Sequence, residues 1–92
     1  MKEQLLNLVV GIAGQLAYTE KLILSDSQKE EIMQPKNWTF NGTSSEVIIL
    51  NEMLYLFSYN NFFLQIQFTV KNNVVIKVDV ITDEDKKVTY DK

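Results

Sequence analysis

Residues 53–81, MLYLFSYNNFFLQIQFTVKNNVVIKVDVI, decide the fold. They divide into three strand-like segments, 53–59, 62–70 and 74–81, separated by asparagine-rich turns. Apolar and polar residues alternate, most regularly in the second and third segments. A period of two marks a strand with one face in a core and the other toward water.

The register follows from the turns. Asn60-Asn61 fits a two-residue type I′ hairpin, because asparagine tolerates the left-handed region at both central positions. That turn sets Tyr59 opposite Phe62, Phe57 opposite Leu64, Tyr55 opposite Ile66 and Met53 opposite Phe68, an entirely apolar row. A two-residue turn at Asn72-Asn73 would set Phe68 opposite Lys77 and bring a charge into that row. A three-residue loop, Lys71-Asn72-Asn73, instead pairs Val70 with Val74, Phe68 with Ile76 and Ile66 with Val78. A slip of one residue turns every side chain over, so the three-residue loop is the expectation.

The opposite face carries Leu54, Leu56, Ser58, Phe63, Gln65, Gln67, Thr69, Lys77 and Asp79. Most of these suit water. Leu54, Leu56 and Phe63 are the exception, and the register gathers them near the first hairpin. Another segment of the chain covers such a patch, or a partner does.

Ahead of the sheet, Leu5, Leu8, Val9, Ile12 and Leu16 recur at helical spacing, with Leu6, Val10, Ala13 and Ala17 as an adjacent stripe. This pattern predicts a helix over about 3–22, buried on more than one side. Gly11 and Gly14 each cost about 1 kcal/mol inside a helix relative to alanine. A close crossing against the sheet, or a break at Gly14, accounts for them. Ser27 and Glu30 match a capping box and predict a short second helix over about 27–33, ended by Pro35. Residues 38–40 alternate like a strand, and Asn41-Gly42 is a hairpin dipeptide. Residues 47–50 favour strand through their β-branched content, although a capping box at Thr43–Glu46 and helical spacing compete. Residues 88–90 suit a last edge strand.

The expected architecture is therefore α+β: an N-terminal helix and a short second helix packed on a four- to five-stranded antiparallel meander, as one domain over residues 1–92. In its order, a helix followed by an antiparallel meander, it resembles cystatin-like and pilin-like architectures. No inhibitory loop motif of the former or processing motif of the latter is present.

The 92 residues suffice to bury about 60–65 % of the unfolded surface without disulfides or metal. Net charge is −3, and all nine basic residues are lysine. Acidity, dispersed lysines and the lack of arginine argue against nucleic acid. The apolar run near the N-terminus is too short for a membrane span and makes a poor signal peptide, so the expectation is a cytoplasmic protein without membrane association.

Chemistry is bounded by exclusions. The sequence has no histidine and no cysteine, hence no imidazole base, no thiolate and no zinc site of the usual type. Its three glycines are scattered and form no phosphate loop. Asp79, Asp83 and Asp85 lack the spacing of a calcium loop. No catalytic residue, cofactor or metal ligand is assigned. The expectation is a small acidic non-enzymatic protein-binding module, a regulator or inhibitor of the kind that phages and mobile elements encode. Leu54, Leu56 and Phe63 would meet a protein partner or a second copy. Two alternatives are a small-ligand binder or minimal enzyme, with a pocket between helix and sheet lined by Tyr55 or Tyr90, and an extracellular pilin-like subunit.

Overall fold

The computed structural model describes residues 2–19, 21–47, 52–82 and 87–91. The chain divides into two compact units, Met1–Trp38 and Thr39–Lys92. The first holds helices α1 (Lys2–Tyr18) and α2 (Asp26–Ile32) and a 3-10 turn at Pro35–Asn37. Strand β1 (Trp38–Val47) leads into the second, which holds β2 (Glu52–Tyr59), β3 (Leu64–Lys71), β4 (Val74–Thr82) and β5 (Lys87–Asp91). These form one five-stranded sheet in the order β1-β2-β3-β4-β5. The fold is α+β with an antiparallel meander, as the alternation predicts.

In α1 the buried line is Leu5, Val9, Ala13, Leu16 and Ala17, one stripe at helical spacing. Leu8 is 37 % exposed, so the buried face is narrower than the sequence suggests. The helix ends at Tyr18 rather than near 22. There the Leu16 carbonyl accepts from the backbone N–H groups of Lys21 (3.1 Å) and Leu22 (3.2 Å), which closes the last turn. Gly14 does not break the helix. The Met33 side chain lies against it, with Sδ only 2.8 Å from where a Cβ would stand, so the close neighbour at Gly14 is a methionine. Gly11 has open space around it.

Helix α2 starts at Asp26, one residue earlier than expected. Ser25, not Ser27, is the N-cap: its Oγ accepts from the Gln28 N–H (3.2 Å), and Gln28 Oε1 accepts from the Ser25 N–H (2.9 Å). Ser27 and Glu30 match the same motif, and either serine satisfies it locally. Seven residues are too few for a helix to persist by propensity alone. Its last carbonyls are held by side chains from the following turn. Asn37 Nδ2 donates to Glu31 O (2.8 Å), and the buried Trp38 Nε1 donates to Ile32 O (2.8 Å).

Both hairpin turns differ from expectation. Between β2 and β3, Phe57 faces Ile66, Tyr55 faces Phe68 and Met53 faces Val70, with a four-residue connection at 60–63. Neither Asn60 nor Asn61 has positive φ, so no type I′ turn forms there. Instead Phe62 packs on Tyr59 with ring centroids 4.7 Å apart, and Asn61 Nδ2 donates to Tyr59 Oη (3.2 Å). Between β3 and β4 the turn is the tight two-residue one. Asn72 (φ 52°) and Asn73 (φ 64°) are both left-handed, and Lys71 faces Val74. The charge this would bring into the apolar row is avoided by a bulge. Val70 faces Val75 but Thr69 faces Lys77, and the extra residue restores the faces. Phe68 therefore meets Val78, and Ile66 meets Val80.

Strand β1 runs without a turn through Asn41-Gly42, where Gly42 adopts φ 104° inside the strand. Residues 48–51 lie outside the described residues, while 46–47 and 52–59 are strand. Residues 88–90 pair with β4 as expected.

Candidate protein-binding face

The register lays the sheet out in rows. On one face run Phe57, Ile66 and Val80, and beside them Tyr55, Phe68 and Val78. All are buried except the half-buried Tyr55. Phe40 of β1 extends this face, its ring 5.1 Å from Phe57 and 6.2 Å from Tyr55. Phe57 in turn meets Phe68 edge-on at 5.9 Å. Tyr55, Phe57 and Phe68 thus serve a core.

The other face carries the candidate site. One row runs Leu54, Thr69, Lys77; the next runs Leu56, Gln67, Asp79; a third runs Ser58, Gln65, Ile81. Leu54 and Leu56 stand two apart on β2 and are half-buried, giving an apolar strip along that strand. Phe63 is 51 % exposed but is not beside them. It lies in the connection, and the polar pair Ser58–Gln65, with Gln65 Nε2 donating to Ser58 Oγ (3.3 Å), separates it from Leu56. The structure therefore brings two of the three expected residues together. Phe63 stands apart because the connection is four residues long rather than two.

Sequence reading places Asp79 in water, and here the structure corrects it. Asp79 is only 2 % exposed, at the centre of the row that begins with Leu56. Lys77 Nζ approaches Asp79 Oδ1 at 4.0 Å, while the Lys77 side chain remains 44 % exposed. A pair with one partner so open contributes at most about 1 kcal/mol. The only signal available in the sequence is its place between Val78 and Val80, in a strand with a neighbour on each side. Thr69, also on this face, is buried as well. The face thus reads as an apolar strip on β2 beside a polar band on β3 and β4.

Tyr55 and Tyr90 fall in one row but on β2 and β5, three strand spacings or roughly 14 Å apart. Asp83 and Asp85 lie outside the described residues, and among the described residues no three acidic, histidine or cysteine side chains gather as a metal site would require. No helix among the described residues is long and apolar enough to cross a membrane. In the helical unit Ile23 is 96 % exposed, and the Tyr18 ring carries the Lys29 ammonium 5.3 Å from its centre. Comparison of the chain with protein-family models, with curated proteins and with solved structures gives no match.

Proposed function

We propose that this chain is a non-enzymatic protein-binding module that meets its partner through the second face of the sheet. The observation that supports this reading is the strip formed by Leu54 and Leu56, half-buried and side by side on β2, next to a band of amide, hydroxyl and charged groups. An apolar anchor flanked by polar groups is how specific protein interfaces are built. The side-chain chemistry agrees in part: with neither histidine nor cysteine in the sequence, it offers no imidazole base and no thiolate. A small regulator or inhibitor acting by occupancy needs only such a surface.

The test is a comparison of baits. Wild-type protein and Leu56→Lys are used to capture partners from lysate of the native host, with circular dichroism to show that both are folded. A stoichiometric partner held by the wild type and lost by Leu56→Lys supports the reading. Equal recovery by both places the interface elsewhere. If neither captures a protein, while a metabolite raises the melting temperature of both, the module binds a small ligand instead. Ligand at 100 times its Kd would stabilise by about 2.7 kcal/mol.

A further inference from the structure

The two outermost strands of the sheet are built differently. β5 has five residues, with Lys87 and Asp91 at its ends, so it is short and charged. These are the devices by which proteins protect a strand edge from pairing. β1 has ten residues, contains no lysine, arginine or proline, and carries a single charged residue, Glu46. It is also the terminal strand of the sheet order, so among the described residues one of its edges has no strand beside it. Along it, exposed Thr39, Asn41 and Thr43 alternate with half-buried Phe40 and Gly42. Gly42, at φ 104°, has nothing within 4 Å of where a Cβ would stand, so no described neighbour crowds the strand there.

We propose that β1 pairs antiparallel with β1 of a second copy of this chain about a two-fold axis, joining two five-stranded sheets edge to edge. A second copy fits better than an unrelated strand for a reason of closure. Self-pairing of one edge uses that edge in both copies, and the outer edges left behind are the two short, charged β5 strands. Assembly stops at two. Registers centred on residues 41–43 oppose Asn41 and Thr43 to themselves or to each other, giving hydroxyl and amide pairs, while the Thr39 hydroxyl already donates to Asn60 Oδ1 of its own chain. They also hold the two Glu46 residues toward opposite ends of the pair, so like charges do not meet. This goes beyond the partner-binding reading and uses the edge of the sheet rather than its face.

Light scattering on the purified full chain tests it. The wild type is expected at twice the 10.7 kDa chain mass. Asn41→Lys and Thr43→Lys, which place a charge at exposed positions of β1, should each fall to the single-chain mass with an unchanged circular dichroism spectrum. Leu56→Lys should remain double. Should both β1 variants unfold, hydrogen exchange on the wild type decides: protection of β1 amides must rise with protein concentration. A wild type of single-chain mass at millimolar concentration overturns the proposal. So does a dimer that Leu56→Lys splits and the β1 variants leave intact, or β1 exchange that ignores concentration.

Discussion

Replacing Gly14 and Gly11 by alanine, one at a time, probes the helical unit where its packing is tightest. Each change removes a glycine from a helix interior, worth about 1 kcal/mol in favour of alanine. At Gly11 nothing lies within 4 Å of the new Cβ, so the whole gain should appear. At Gly14 the Cβ would stand 2.8 Å from Met33 Sδ and 3.3 Å from Met33 Cγ, up to about 1 Å inside ordinary contact. Forcing a methylene into such a site costs about 1–3 kcal/mol. Gly14→Ala should therefore range from neutral to destabilising by about 2 kcal/mol. Thermal unfolding followed by circular dichroism resolves the difference, since 1 kcal/mol moves Tm by about 4–8 °C in a domain of this size. Gly11→Ala should raise Tm by that amount, and Gly14→Ala should leave it unchanged or lower it. In a Met33→Ala background the obstacle is gone, and Gly14→Ala should regain its full gain, a coupling of about 1–3 kcal/mol. If Gly14→Ala stabilises as much as Gly11→Ala while Met33 is present, Met33 does not sit over Gly14 and the account of the helical unit is wrong.

Trp38→Phe keeps the aromatic volume but removes the donor to Ile32 O, so it should lower stability by about 1–3 kcal/mol in urea unfolding; a change within 0.3 kcal/mol would show that this indole bond does not hold the end of α2. Asn73→Ala puts a residue averse to the left-handed region at φ 64° and should lower stability by about 1 kcal/mol, whereas Asn73→Gly should be neutral or stabilising. Equal effects of the two substitutions would mean that the second turn is not the tight one. Leu56→Lys should abolish partner capture while leaving the far-ultraviolet spectrum unchanged, and the β1 lysine variants should change mass without changing capture.

Which residue lies on which face is legible in the sequence; how far the strands slide along each other is not. Alternation alone assigns Tyr55, Phe57, Ile66, Phe68 and Val78 to one face and Leu54, Leu56, Gln67 and Asp79 to the other, and the structure agrees. Most observed pairings differ from the expected ones by two positions, and a slip of two preserves faces where a slip of one reverses them; Val70, expected opposite Val74, meets Val75 instead, so Val74 changes face and is 60 % exposed. The cause lies in the turns. Asn-Asn occurs at 60–61 and at 72–73 with the same local preference, yet only the second pair is left-handed. At the first, Phe62 finds the Tyr59 ring and Asn61 finds its hydroxyl, contacts that local turn preferences do not contain. At the second, rejecting the tight turn on parity assumes an unbroken ladder, and a single bulge removes that constraint.

The site follows the same logic. Leu54 and Leu56 are placed by alternation and stay together, because they belong to one strand. Phe63 is placed by a turn, and it moves with the turn. Asp79 is read as solvated from its charge, but it is 2 % exposed, on a strand flanked by β3 and β5. Capping at Ser25 rather than Ser27 is a choice between two equal local matches, and the segments that flank the helix decide it.

The second face exists as described only if β4 carries the bulge that sets Leu56, Gln67 and Asp79 in one row. Cross-strand nuclear Overhauser effects between β3 and β4 in a labelled sample measure this directly. Backbone contacts of Phe68 with Val78 and of Thr69 with Lys77 are the predicted result. Contacts of Phe68 with Ile76 or with Lys77 in their place would move Asp79 out of that row and contradict the account.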